Sequence, residues 1–179
     1  IGTFHSIGLR FLRKHSELIG LKSDFTILDK DDQQRLIKQV LSLMDLDPKI
    51  HVPKQYLYMI DQAKNAGLLI DQIDNHDFEL QTKGIFGKVY EKYQNRLSNY
   101  NSVDFGDLIL LPIKLFSENQ KILNFYREKF KYILVDEYQD INKAQKVMVD
   151  GLLAGGASQW VVGDDDQAIY GWRGSSLKF

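Results

Sequence analysis

Two short apolar segments, each followed at once by acidic residues, constrain this chain more than any other feature. Residues 132–135 and 160–162 are rich in residues that favour β-strands. Between them, residues 143–153 have a helical pattern that opens with a capping pair, Asn142 and Gln145. This order predicts a βαβ unit with two parallel strands joined by a right-handed crossover. Uninterrupted apolar strands are typical of a sheet that is covered on both faces.

The acidic residues fall where α/β sheets bind ligands, beyond the carboxyl ends of the strands. Residues 136–140 are Asp-Glu-Tyr-Gln-Asp, and residues 163–167 are Gly-Asp-Asp-Asp-Gln. A strand that ends in Asp-Glu is what a P-loop enzyme needs for nucleotide hydrolysis. Asp136 would hold Mg²⁺, and Glu137 would orient or deprotonate a water for attack on the γ-phosphate. The alternative is that these acids only solvate the strand ends and cap the next helix.

A glycine-flanked aromatic segment follows the second acidic cluster. Residues 167–174 are Gln-Ala-Ile-Tyr-Gly-Trp-Arg-Gly. Exposed aromatic rings stack on unpaired bases, at about 1–3 kcal/mol per base, and an arginine can reach a phosphate. Tyr170, Trp172 and Arg173 are therefore candidate nucleic-acid contacts. The alternative is that Tyr170 and Trp172 are core residues of an edge loop.

The first two-thirds of the chain are predicted to be helical. Apolar residues recur there at intervals of three and four, which is the spacing of one helix face. Asp29 is a candidate N-cap, and Pro53 stands where a first-turn proline belongs. The predicted helices cover residues 6–19, 31–46, 55–66 and 86–100.

Three further local predictions concern the ends of elements. Residues 1–4 have the pattern of a mid-strand segment. Asp104 is a candidate cap for another helix, which Pro112 would bend. Ser117 with Gln120 has the pattern of a capping box before the helix that follows.

Composition and charge limit the classes of function. The chain is 44% hydrophobic, and its longest apolar run, residues 108–113, is far shorter than the ~20 residues that cross a bilayer. It has no cysteine, which excludes disulfides and thiol chemistry and is compatible with the cytoplasm. The net charge of −1 is not the basic excess of a module that grips nucleic acid alone. Since the first residue is Ile, we expect a part of a longer protein.

Taken together, these strings resemble the UvrD/Rep/PcrA-type superfamily 1 DNA helicases. Residues 132–140 resemble motif II, the Walker B element, and residues 161–174 resemble motif III. Residues 2–6, Gly-Thr-Phe-His-Ser, resemble the short DNA-side motif that precedes the helical insert of the family. Residues 103–108, Val-Asp-Phe-Gly-Asp-Leu, match a further signature within that insert. The resemblance covers essentially the whole chain in the right order.

The resemblance implies roles in ATP hydrolysis for four residues. Asp136 would coordinate Mg²⁺, and Glu137 would be the catalytic base. Gln167 would be the motif III glutamine that senses the γ-phosphate. Asp140 would help to couple the nucleotide and DNA sites, while residues 164–166 would shape the loop without binding the metal directly.

The resemblance also implies a set of DNA contacts. Tyr170 and Trp172 would stack on single-stranded DNA, with Arg173 beside them. Thr3 and His5 would lie along the path of the single strand. For Thr3 and His5 the alternative is a buried strand end.

The implied fold is α/β and predominantly helical, with a partial RecA-like P-loop NTPase sheet and an inserted α-helical subdomain. Residues 1–20 and 115–179 would be part of the first RecA-like ATPase domain, and residues 21–114 would be the inserted helical accessory subdomain. The phosphate-binding string Gly-x-x-x-x-Gly-Lys-Ser/Thr does not occur in these 179 residues. The motifs of a second RecA-like domain, which carry arginine fingers in this family, are missing as well.

The implied function is that of a fragment of an ATP-dependent 3′–5′ DNA helicase. In the full-length protein, ATP and Mg²⁺ would be the cofactors, and single-stranded DNA and single-strand/duplex junctions the partners. The location would be cytoplasmic, without a membrane. The isolated chain is expected to be inactive and to bind DNA weakly. An alternative is a non-motor DNA-binding or scaffold relative; a metal nuclease fits less well, because it leaves the Tyr-Gly-Trp-Arg segment unexplained.

Overall fold

The computed structural model describes residues 1–73, 78, 82–164 and 166, and helices dominate in these ranges. None of the described helices is long and apolar enough to span a membrane. The α-helices are α1 (Phe4–His15), α2 (Lys30–Leu43), α3 (Pro53–Asn65), α4 (Phe86–Asn99), α5 (Asp107–Glu118), α6 (Gln120–Lys129) and α7 (Lys143–Leu153). The strands are β1 (Thr26–Ile27), β2 (Ser102–Val103), β3 (Tyr132–Val135) and β4 (Ser158–Val161).

Both strand pairs are parallel. Strand β1 pairs with β2, and β3 pairs with β4. Helix α7 connects β3 to β4, so the predicted βαβ unit is confirmed. The sequence of this unit is therefore sufficient to define its local topology.

Three helices begin where capping chemistry places them. The Asp29 side chain accepts a hydrogen bond from Asp32 N at 2.8 Å, which satisfies a free amide in the first turn of α2. Pro53 occupies the start of α3, where its missing N–H costs nothing. Asn142 and Gln145 form a capping box at α7, with each side chain 2.9 Å from the other's backbone amide. All three were predicted.

Helix α5 begins at Asp107 after Gly106, so Asp104 is not its N-cap, although the Asp104 side chain bonds the first amide of the helix. Helix α6 also begins differently from the prediction. Asp104 Oδ1 accepts from Asp107 N at 2.9 Å, and Asp107 Oδ2 accepts from Asp104 N at 3.1 Å. The predicted capping box of Ser117 with Gln120 is wrong. Ser117 lies inside α5, where its hydroxyl donates to a carbonyl of the same helix at 2.8 Å. Asn119 is the residue that precedes α6.

Residues 1–3 form no strand and α1 begins at Phe4, so the strand predicted for residues 1–4 is wrong. Thr3 is the N-cap of α1, and its Oγ1 accepts a hydrogen bond from Ser6 N at 3.2 Å. The Ser6 hydroxyl in turn donates to Thr3 O at 2.9 Å. These local bonds satisfy the first turn of α1 and outweigh the β-propensity of the short apolar run.

Two groups of helices have separate cores. The first lies among α2, α3 and α4, and the second among α1, α5, α6 and α7. Buried residues of the first core include Ile37, Val40, Tyr56, Ile60, Phe86, Tyr90 and Leu97. Buried residues of the second core include Phe11, Ile109, Leu115, Phe116, Tyr126 and Met148.

Helices α1 and α5 approach so closely that only glycine fits at their crossing. A Cβ on the buried Gly8 would lie 1.8 Å from Leu108 O. Pro112 has no N–H to donate to Leu108 O, the carbonyl four residues before it. The carbonyl that the proline leaves without its helical partner is therefore the one that Gly8 packs against.

The β3–β4 sheet is covered on one face only among the described residues. Val135 is buried in a small cluster with Ile141 and Val149. On the other side, Leu134 is 76% exposed and Trp160 is 64% exposed. The expectation of a sheet covered on both faces is therefore not met within the described ranges.

Candidate functional site

The ends of β3 and β4 bring the two acidic clusters together. Val135 is in register with Val161, and Val162 N donates to Val135 O at 2.9 Å. Beyond the strands, Tyr138 N donates to Val162 O at 3.0 Å. The clusters that follow the two strands therefore share one edge of the sheet, as the sequence predicted.

Asp136 and Glu137 are both exposed at this edge. Asp136 Oδ1 accepts a hydrogen bond from Glu137 N at 3.0 Å. The backbone of Glu137 is left-handed, with φ +52°. A residue with a side chain occupies that region at a cost of about 1–3 kcal/mol, and such residues cluster at functional sites. The turn thus holds Glu137 in a conformation that the chain does not adopt by default.

A buried amide, which the sequence analysis did not single out, links the two clusters. Gln139 is 5% exposed. Its Nε2 donates to Glu137 Oε2 at 2.7 Å, and its Oε1 accepts from Asp164 N at 3.0 Å. A Cβ on Gly163 would lie 2.6 Å from Gln139 Oε1, so glycine permits this approach. The signal in the sequence was the single amide within the acidic run of residues 136–140.

The remaining acids near this edge have different surroundings. Asp164 Oδ1 accepts from Asp166 N at 3.0 Å, a contact within the loop. Asp140 Oδ1 is buried and has no hydrogen-bond partner among the described residues. Within the described ranges, no three acidic or histidine side chains converge as a metal-binding group.

The donor set at the edge fits a magnesium–nucleotide complex. Mg²⁺ is commonly held by one or two protein carboxylates together with substrate phosphates, and keeps several waters. Asp136 offers an exposed carboxylate at the end of a strand. One such carboxylate suits a metal that phosphates also hold.

Thr3 caps α1 and His5 lies in its first turn, so the alternative of a buried strand end is wrong. Thr3 is exposed and uses its hydroxyl as the cap. The His5 ring is half-buried and stacks on Phe105, with 4.1 Å between ring centroids. Burial lowers the pKa of His5, which keeps its imidazole neutral at pH 7. Phe105 is 54% exposed.

Phe105 was not singled out from the sequence, although residues 103–108 were. The sequence feature that could have indicated it is an aromatic residue between Asp104 and Asp107. The structure brings it across the α1–α5 crossing to His5. About half of the Phe105 side chain is therefore accessible beside His5.

A buried ion cluster fixes the turn that carries Phe105. Lys64 Nζ of α3 donates to Asp104 Oδ2 and to Asp107 Oδ1, both at 2.7 Å. Tyr93 donates its hydroxyl to Asp104 at 3.0 Å, and Gln94 donates its amide to Asp107 at 2.8 Å. The three charged side chains are almost fully buried, at 0–1% exposure. Sequence reasoning did not find this cluster.

The two carboxyl groups of the cluster have pKa values shifted in opposite directions. Burial alone would raise the pKa of Asp104, but the Lys64 ammonium overcomes this and holds it below its ordinary value. Burial and the neighbouring Asp104 charge raise the pKa of Asp107 to about 6. Asp107 is therefore the carboxyl of the cluster that takes up a proton first as the pH falls.

Four predicted site residues lie outside the described residues. They are Gln167, Tyr170, Trp172 and Arg173. Their roles remain predictions from the sequence.

Comparisons with known proteins agree over the whole chain. The family model that matches residues 1–179 is described as the UvrD/REP helicase N-terminal domain. A probable DNA helicase II homolog of Rickettsia felis is 43% identical over 179 residues, covering 99% of this chain and 27% of that protein. DNA helicase II of Haemophilus influenzae is 44% identical over 179 residues, with 99% and 24% covered.

A third relative is the ATP-dependent DNA helicase PcrA of Leuconostoc citreum. It is 40% identical over 181 residues, with 99% of this chain and 24% of that protein covered. The chain thus spans about a quarter of the length of the curated relatives it matches.

Proposed function

Because the chain belongs to the UvrD/REP helicase N-terminal domain family, we propose that it works within a longer ATP-dependent DNA helicase that moves 3′ to 5′ along single-stranded DNA. The observation that carries the proposal is the shared edge of β3 and β4. There the exposed Asp136 and Glu137 lie beside the backbone that leads into the motif III segment. The relatives, which are named as DNA helicases, are about four times as long as this chain.

The proposed domain organisation assigns residues 1–20 and 115–179 to the first RecA-like domain and residues 21–114 to an inserted helical subdomain. The separate core among α2, α3 and α4 supports this assignment. The uncovered apolar face of β3 and β4 supports it too, because a RecA-like sheet has further strands and helices to cover that face. Helix α5 runs across the proposed boundary and packs against α1 and α7.

In the proposed site, Asp136 would hold Mg²⁺ together with the phosphates of ATP. Magnesium supplies the charge that offsets the negative charge developing on the phosphates. Glu137 accepts the proton of the attacking water, and its carboxylate must be ionised and oriented to do so. Gln167, from the motif III resemblance, would sense the γ-phosphate, and Asp140 would help to couple hydrolysis to DNA.

The proposed DNA surface includes Thr3 and His5 on α1 and the Tyr170–Arg173 segment. The exposed Phe105 ring beside His5 supports a path for a single strand at the α1–α5 crossing. Base stacking on such rings is tolerant of sequence, because every base has a π-face. The chain's own net charge of −1 indicates that the rest of the helicase supplies much of the phosphate attraction. Single-strand/duplex junctions are the proposed substrates.

The test of the proposed function is Glu137→Gln in the full-length helicase. Loss of a positioned general base commonly lowers turnover by about 10²–10⁴-fold. DNA-stimulated ATPase activity should fall by that factor, while equilibrium binding of ATP and of a single-stranded oligonucleotide stays within about threefold of wild type. Near-normal turnover in the variant would reduce Glu137 to a strand-end acid and remove the proposal's central residue.

The isolated 179 residues provide a second test. Without a P-loop in this chain, no backbone cradle fixes the triphosphate beside Asp136. We expect no DNA-stimulated turnover above that of the same chain carrying Glu137→Gln. Turnover clearly above this control would contradict the assignment of the site.

A further inference from the structure

One side-chain amide lies at the junction of the two strand ends. Gln139 donates from Nε2 to Glu137 Oε2 at 2.7 Å and accepts at Oε1 from Asp164 N at 3.0 Å. It is 5% exposed, whereas Glu137 is exposed. The amide is therefore shielded from water, and its two hydrogen bonds face little competition from solvent.

Glutamine is suited to this position by its length and by its two kinds of polar atom. A carboxylate only accepts and a backbone N–H only donates, so the residue between them must donate on one side and accept on the other. With the amide oriented this way, both bonds form; with its O and N exchanged, both are lost. The surroundings therefore determine which way the amide points.

The residue at position 163, which follows β4, is a glycine that lies close to this amide. A Cβ on Gly163 would lie 2.6 Å from Gln139 Oε1 and 3.2 Å from Tyr138 N. A residue larger than glycine would push the backbone of residues 163–164 away from Gln139. The backbone at 163–164 thus reaches the amide because residue 163 has no side chain.

We propose that Gln139 is a positioning residue for ATP hydrolysis. It holds the Glu137 carboxylate in one orientation through Oε2 and ties that orientation to the backbone at 163–164, where the chain enters the motif III segment. This inference rests on the proposed function, because it assumes that Glu137 activates the attacking water. Fixing Oε2 leaves Oε1 of Glu137 as the oxygen that takes the proton. The left-handed backbone of Glu137 sets the direction of the side chain, and Gln139 sets its rotation.

A purely structural role makes a different prediction. If Gln139 served only to hold residues 163–164, its removal would lower stability and leave the turnover of the folded protein unchanged. If it positions Glu137, removal lowers kcat through Glu137 and leaves nucleotide binding unchanged. The two roles are separated by variants that remove one bond or both.

The experiment compares Gln139→Leu with Gln139→Glu in the full-length helicase. Leucine has nearly the same size and makes neither hydrogen bond. Glutamate keeps the acceptor for Asp164 N, and it replaces the donor to Glu137 by a carboxylate oxygen that repels the Glu137 carboxylate. We expect kcat of DNA-stimulated ATP hydrolysis to fall by about 10–100-fold in both variants, the usual effect of misplacing a reacting group, with KM for ATP changed by less than about threefold.

Two measurements do not depend on turnover. Amide hydrogen exchange at Asp164 should be faster in Gln139→Leu and close to wild type in Gln139→Glu. Affinity for a non-hydrolysable ATP analogue with Mg²⁺ should be unchanged in both variants.

Gln145→Ala is the matched control, because it removes a glutamine contact from α7. It should lower stability slightly and leave kcat unchanged.

A double variant distinguishes failure of this inference from failure of the proposed function. If Gln139 acts through Glu137, adding Gln139→Leu to Glu137→Gln lowers kcat no further. If Glu137→Gln alone keeps normal turnover, the proposed function fails. If Glu137→Gln abolishes turnover while folded Gln139→Leu stays within twofold of wild type, the proposed function stands and the role of Gln139 is overturned. An additive double variant would also overturn it.

Discussion

Replacing Lys64 by methionine tests how the helical core and the candidate DNA surface are held together. Lys64→Met keeps the length of the side chain and removes the ammonium that bonds Asp104 and Asp107. Both carboxylates then stay buried without a positive partner. Hydrogen bonds to charged groups contribute about 1.5–3 kcal/mol each, and removing one partner of a buried ion pair costs about 3–5 kcal/mol. We therefore expect a loss of about 3–5 kcal/mol at pH 7.

The pH dependence of this loss has a definite sign. In the wild type, the pKa of Asp107 is raised to about 6 from an ordinary 3.8, so the folded state binds a proton more readily than the unfolded chain. Its contribution to stability therefore grows as the pH falls from 7 towards 4. The lowered pKa of Asp104 acts oppositely, and its contribution is lost below pH 3.8. Without Lys64, the folded-state pKa values of Asp104 and Asp107 both rise. Protonation of these carboxylates therefore reduces the stability loss of the variant at lower pH.

The assay is urea and thermal unfolding of the 179-residue chain at pH 7 and pH 5. At about 2–4 °C per kcal/mol for a chain of this size, a loss of 3–5 kcal/mol lowers Tm by roughly 6–20 °C at pH 7. The loss should be smaller at pH 5. Lys30→Met is the matched control, because Lys30 pairs with Asp61 at the surface, where such pairs contribute about 0–1 kcal/mol. A loss below 1 kcal/mol at pH 7, or a larger loss at pH 5, would refute the reasoning.

Three more outcomes are expected. Gly8→Ala should destabilise the chain by about 1–3 kcal/mol or more in thermal unfolding, because its Cβ meets Leu108 O. Gly151→Ala is the control: a Cβ there meets nothing within 4 Å, so the variant should be neutral or stabilising in the same assay. Asn142→Ala should cost about 1 kcal/mol in urea unfolding through loss of the α7 cap, and an unchanged midpoint would contradict this. Trp172→Ala in the full-length helicase should weaken oligo-dT binding by about 1–3 kcal/mol with little change in Tm. A loss of about 3–5 kcal/mol in stability with unchanged affinity would instead assign this residue to the core.

Elements whose signals are local were predictable from the sequence. Asp29 and the Asn142–Gln145 pair determine helix starts through hydrogen bonds that span three residues, and Pro53 does so through its own backbone. The two strands and the helix between them were equally local in their patterns. Where two local signals competed, as in residues 1–4, the cap made by Thr3 prevailed over the apolar run.

The contacts that the sequence did not predict are long-range. Lys64 meets Asp104 across 40 residues, and Gln139 meets Asp164 across 25. Lys64 falls in phase with the buried Leu57 and Ile60, but a lysine at such a position can also extend its ammonium to solvent, so its partners emerge only once α3 packs beside the start of α5. The pairing of His5 with Phe105 likewise depends on a helix crossing that Gly8 permits. Each of these contacts requires the tertiary fold.

The packing also indicates where coupling between the proposed DNA and nucleotide sites can arise. Phe4, next to His5, packs against the cluster of Val135, Ile141 and Val149 below the nucleotide edge. That contact is continuous close packing, and a packed core resists small displacements because it has no second arrangement at low cost. Coupling requires an element with two arrangements. The link between Gln139 and Asp164 N is one buried hydrogen bond, so a shift of residues 163–164 would lengthen or break it. Under the proposed function, a change at residues 163–164 would therefore reach Glu137 through the Gln139 amide.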